Sequence, residues 1–214
     1  MFVYGQYIKS LEGIEWFIKG EYIQIQTHRN RQRNISQLAQ TKVKYIGLYV
    51  EQSEDVVAVA GCKYLKTINI YRSKENDFSS WSKVTADTIS FKSCKFAELG
   101  NMARILALED LNVLGCRNLE RFTGDNSTIK RLIVDGSKKL DLRTLKTFTG
   151  VEVLIINSFT QELNLTEIGG LTSVKHIDFI VSEAGVLAYL RDEEGLWFAI
   201  KTVESWCSDH KQVV

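Results

Sequence analysis

Four cysteines and three histidines are the side chains of this 214-residue chain with the widest chemical reach. Cys94 and Cys116 could be a metal or redox pair, because a thiolate is both a nucleophile and a soft metal ligand. Cys207 and His210, in the run WCSDH, have C-x-x-H spacing, which is half of a zinc site. The chain has no second pair at comparable spacing, so a disordered or capping tail is the better reading of that segment. His28 lies in a basic run and His176 on a strand, and neither has a Ser or Cys beside it of the kind a catalytic triad uses. Gly169 and Gly170 do not form the G-x-G-x-x-G loop that cradles phosphates. The residue types therefore point away from an enzyme, and no cofactor or metal is expected.

Charge gives one local feature. Lys plus Arg is 27 and Asp plus Glu is 26, so no global field draws the chain to nucleic acid. The run HRNRQR brings Arg29, Arg31 and Arg33 together, where they could grip phosphates or an acidic partner. The bland alternative for such a run is a solvated loop. The first twenty residues lack the basic-then-apolar pattern of a secretory signal, and no apolar run approaches membrane-spanning length. A cytoplasmic, reduced protein is expected, in which the sequons at Asn34, Asn126 and Asn164 are idle. Proline is absent, and no physical account of this follows.

The elements that must position these residues are set by a repeat. Leu108, Leu111 and Val113 form an L-x-x-L-x-L triplet. It returns from Val43, Leu65, Ala86, Ile129, Val151 and Val174, so the starts step by 22, 21, 22, 21, 22 and 23 residues. Each triplet is too short to bury its own apolar face, so stacked copies must share one core. Segments between triplets, such as Ala97 to Leu108, place Leu99, Met102, Ala103 and Leu106 at helical spacing, and TGDNST reads as a turn.

This spacing resembles the leucine-rich repeats of short, 21 to 22 residue type, over about residues 43 to 182, with a weaker copy at Ile23 and Ile25. The family places Asn or Cys three residues past the last strand leucine; here those positions hold Glu51, Ser73, Cys94, Cys116, Ser137, Phe159 and Ser182. The resemblance implies an α/β solenoid with a curved parallel sheet on its concave side, helices or turns on its convex side, and a helical cap at each end. It implies one domain over 1–214: a cap and irregular first repeat over 1–42, seven repeats over 43–182, and a cap over 183–214. Ser10 is expected to cap a short helix with Leu11, Ile14 and Ile18 on one face and Gly20 past its end. Asp192 is expected to cap a helix carrying Leu196, Ile200, Val203 and Cys207.

Strand alternation then assigns the outer face. If the triplet residues point inward, the residues between them point out of the sheet. The candidate partner-binding set is Tyr22, Tyr45, Tyr49, Tyr71, Lys92, Asp110, Asn112, Leu114, Arg131, Ile133, Asp135, Ile155, His176 and Asp178, with Arg29, Arg31 and Arg33 as a secondary contact. Tyrosines beside aliphatic and polar residues suit protein recognition, since they bring large area at low entropy cost. Cys94 and Cys116 become interior rungs at one repeat position. The resemblance implies a non-catalytic inhibitor that occludes one cognate protein in a one-to-one complex, in the manner of a bacterial immunity protein against a toxin such as a nuclease. The rival is an RNA or phospholigand binder using the Arg29 to Arg33 run and nearby tyrosines.

Overall fold

The computed structural model describes residues 2–4, 10–17, 21–26, 35–50, 53–158, 171–180, 188–191 and 197–200. The triplets form strands. Tyr22–Gln26 (β2), Tyr45–Tyr49 (β3), Thr67–Tyr71 (β4), Thr88–Lys92 (β5), Asp110–Leu114 (β7), Arg131–Asp135 (β9), Val153–Asn157 (β10) and His176–Ile180 (β11) each carry an alternating inner and outer row. They lie parallel in chain order in one open nine-stranded sheet, whose first strand, Phe2–Tyr4 (β1), pairs with β2. That ninth strand is not marked by a triplet in the sequence.

Register is what makes the sheet useful. Ile46 pairs with Ile68, Ile68 with Ile89, Ile89 with Leu111, and Leu111 with Leu132, so equivalent triplet positions stand side by side. The inner rows are buried from Ile23 and Ile25 through Leu154 and Ile156, together with the leading residues Val43, Leu65, Ala86, Leu108, Ile129 and Val151. Burying one such side chain contributes about 1.5 to 3 kcal/mol. A one-residue slip would turn every inner residue outward, which is why the pairing holds its frame across the sheet.

The chain leaves five neighbouring strands in the same way. Arg72, Ser93, Gly115, Gly136 and Ser158, each the residue after its strand, have φ of 58°, 54°, 64°, 66° and 54°. The turned backbone extends the ladder, because the N–H groups of Arg72, Ser93, Gly115 and Gly136 donate to the carbonyls of Lys92, Leu114, Asp135 and Asn157. One residue further on, Ser73, Cys94, Cys116 and Ser137 are all buried, as the repeat position predicts.

The return segments hold helix and helical turns, with one departure from expectation. Ser53–Ala60 is an α-helix (α1), but the other helical pieces among the described residues are short 3-10 turns, such as Ser36–Gln40, Ser79–Lys83 and Leu142–Thr147. Ala97 to Leu108 is not a helix: Glu98–Gly100 (β6) pairs in parallel with Arg121–Thr123 (β8), and a 3-10 turn covers Met102–Arg104. The apolar spacing there still does its burial work, since Leu99 and Met102 are buried, but Leu106 is exposed. Asn126 explains much of this path. It is buried in the TGDNST turn, accepts from the Met102 N–H (3.0 Å), and donates to the Thr123 carbonyl and Thr147 hydroxyl. Such a satisfied interior amide fastens three successive repeats. Its sequon is therefore closed to glycosylation in the folded chain.

The ends are corrected too. Near the amino terminus the expected helix is a 3-10 turn, Ile14–Phe17, with Leu11 and Ile14 buried and the Ser10 hydroxyl accepting the Glu12 N–H at 3.0 Å. Ile18 and Gly20 lie outside the described residues. The expected helix after Asp192 is contradicted at Ile200: Trp197–Ile200 (β13) is a strand, antiparallel to Ala188–Arg191 (β12). Aromatic WFAI favours an extended backbone with a partner strand over the helical spacing that suggested otherwise. Asp192, Leu196, Val203, Cys207 and His210 lie outside the described residues, as do His28, Glu51, Phe159, Gly169, Gly170 and Ser182.

Candidate functional site: the outer face of the sheet

The three buried cysteines come first, since catalysis would begin there. Cys62, Cys94 and Cys116 are free thiols, all buried. The Cys94 thiol has the carbonyls of Ile70 (3.7 Å) and Lys92 within reach as alternative acceptors, and the Cys116 thiol those of Phe91 (3.6 Å) and Leu114. Each rung thus fastens its repeat to the preceding one. The hydrogen bond to Cys116, then burial, holds Cys94 in its protonated form, the same hydrogen bond lowers the Cys116 thiol against the opposing effect of burial, and burial pushes the Cys62 thiol up to about 12. A thiol held protonated in an apolar setting is a poor nucleophile. No group of three or more His, Cys, Asp or Glu side chains suited to a metal occurs among the described residues.

The outer face is assembled by the register already given. Its first row runs Tyr22, Tyr45, Thr67, Thr88, Asp110, Arg131, Val153, His176. Its middle row runs Gln24, Gly47, Asn69, Ser90, Asn112, Ile133, Ile155, Asp178, and its last row Tyr49, Tyr71, Lys92, Leu114, Asp135, Asn157. All fourteen candidate face residues therefore sit on one surface. They are half-buried or exposed, with Tyr45 at 40%. Gly47 and Ser90, on the same face, are buried beneath their neighbours.

Tyrosine geometry dominates the amino-terminal half. Tyr49 and Tyr71 stack with ring centroids 4.9 Å apart and 16° between planes. The Arg72 guanidinium lies 5.8 Å from the Tyr49 centroid and the Lys92 ammonium 5.5 Å from that of Tyr71, both within cation–π range. Gly47 leaves room for this cluster, since a Cβ there would meet the Gln24 side chain at 3.2 Å and the Tyr71 ring at 3.4 Å. The Tyr22 hydroxyl donates to Gln24 at 2.8 Å. Burial, then the nearby Tyr22 and Tyr49 hydroxyls, raise the Tyr71 hydroxyl above its usual value.

The carboxy-terminal half is mixed. Asn112 donates to the Ser90 hydroxyl at 3.1 Å, while its own buried Oδ1 has no hydrogen-bond partner. Ile133 and Ile155 are adjacent half-buried aliphatics, and His176 faces Asp178 at 3.1 Å. Below the face, the residue before each strand forms a charged ladder, with Glu21 paired to Lys44 (2.5 Å), Asp87 to Lys66 (3.7 Å), and Glu152 to both Lys130 and Lys175. Sequence reasoning passed over this ladder, although its period is that of the triplets. Arg29, Arg31 and Arg33 lie outside the described residues, so the secondary contact has no geometry.

No protein-family model and no curated protein matches this sequence. What the face does must be argued from its own chemistry. Stacked rings flanked by cations, with a buried amide oxygen and adjacent aliphatics, can bind a complementary surface. No described helix is long and apolar enough to cross a membrane.

Proposed function

We propose that this chain is a divergent leucine-rich-repeat solenoid that binds one partner protein through the outer face of its sheet, as a non-catalytic inhibitor. Nine parallel strands in chain order, with a recurrent left-handed turn and a buried Ser or Cys rung after the strand, support the solenoid reading. The observation that carries the binding reading is the Tyr49 and Tyr71 stack between Arg72 and Lys92, on an open face whose neighbours are partly exposed. Interface energy concentrates in such Tyr and Arg anchors. A chain that acts by occupying a surface inhibits or scaffolds, and the immunity role against a toxin extends this by analogy from fold.

Recovery of partner protein from source cells tests it, using the wild type beside the Tyr45→Ala/Tyr71→Ala double variant. A stoichiometric partner that the wild type retains and the folded double variant loses is the expected result. Equal recovery by both removes the face as the binding site. An RNA ligand whose affinity falls steeply with salt would favour the nucleic-acid reading instead.

A further inference from the structure

The two rims of the sheet are charged differently. On the rim before the strands, the ladder from Glu21 to Lys175 mixes acids and bases and closes into the ion pairs given above. On the opposite rim the residue after each buried rung is basic in four consecutive repeats: Lys74 after Ser73, Lys95 after Cys94, Arg117 after Cys116, and Lys138 after Ser137. All four side chains are exposed. Lys74, Lys95 and Arg117 have no ion pair among the described residues. Adjacent parallel strands lie about 4.8 Å apart, so these four positions span roughly 14 Å.

Like charges at that spacing repel one another, and Lys74, Lys95 and Arg117 are neutralised by no ion pair among the described residues, while the thiols beside them, Cys94 and Cys116, are turned into the core. We propose that this rim is a docking track for an acidic polypeptide segment of the partner. The proposal deepens the protein-binding reading and rests on it. Arg72 and Lys92 extend the track onto the sheet face, beside the stacked tyrosines. A polypeptide fits better than a nucleic acid, because Asp135 ends the neighbouring strand and Leu114 and Ile133 flank it. A polyphosphate carries its charge past every such position, whereas a polypeptide can set a neutral or apolar side chain there.

Fluorescence anisotropy with a labelled decapeptide of alternating glutamate and alanine, in the absence of any partner, tests the track. The wild type should bind at low salt, and Lys95→Gln/Arg117→Gln should weaken binding by about tenfold while leaving the thermal melt unchanged. Lys130→Gln/Lys175→Gln, on the paired rim, should bind like the wild type, and decathymidylate should bind more weakly than the peptide. Absence of peptide binding, equal losses from both rims, or tighter binding of decathymidylate would overturn the proposal. A failure of the protein-binding reading shows elsewhere, as equal partner recovery by the wild type and the tyrosine double variant.

Discussion

Asn126 and Ser137 show how differently buried polar groups act in one core. The Asn126 amide satisfies a backbone N–H, a carbonyl and a hydroxyl from three repeats, so its loss leaves the buried Met102 N–H without its acceptor. Asn126→Ala should cost about 2 to 3 kcal/mol in chemical denaturation. The buried Ser137 hydroxyl has no hydrogen-bond partner, although its counterparts Cys94 and Cys116 reach carbonyls of the preceding repeat. Ser137→Ala should therefore change stability by less than about 1 kcal/mol, in either direction. Equal large losses from both would mean that the rung position, and not its hydrogen bonds, sets the cost.

At the scale of elements, the left-handed turn after five of the strands is a recurrent feature, strained where its residue is not glycine. Ser93 at φ 54° holds a conformation that glycine adopts freely, and Gly136 at φ 66° already does. Ser93→Gly should cost little or stabilise slightly, whereas Gly136→Ala should destabilise by about 1 kcal/mol, both read from the denaturation midpoint. Strand positions were legible because an L-x-x-L-x-L triplet writes the period-two alternation locally, and the outer face follows from it by simple complement. Phe2–Tyr4 is too short to show that period. The return path from Glu98 was hidden for another reason. Gly100 lets the Thr123 backbone approach so closely that any Cβ would overlap the Thr123 carbonyl oxygen, and that contact is 23 residues away in the chain. Leu99, Met102 and Ala103 spell a helix locally, and a long-range pairing overrides it. The carboxy-terminal segment failed similarly, where strand pairing with Ala188–Arg191 prevailed over helical spacing.

For the whole molecule, one sheet gathers side chains from residue 22 to residue 178 onto a single surface, although each repeat supplies only three. The site was readable as a set of positions. Its geometry was not, because the Tyr49 and Tyr71 stack joins rings from neighbouring strands, with Gly47 leaving room beside the Tyr71 ring. The same period that fills the core with inner triplets also lines one rim with mixed acids and bases and places a base after the rung in four consecutive repeats on the other. A neutral overall composition concealed that asymmetry, since net charge averages over rims that only register separates.

The most direct test of the central claim is site-specific photo-crosslinking in source cells. A benzophenone amino acid placed at Tyr45 or Ile133, on the sheet face, is compared with one at Val57 or Leu106, which are exposed on return segments at 60% and 52%. One discrete adduct of a partner protein from both face positions, and none from the return positions, is the predicted result. An adduct formed from Val57 or Leu106 while the face positions stay silent would contradict it.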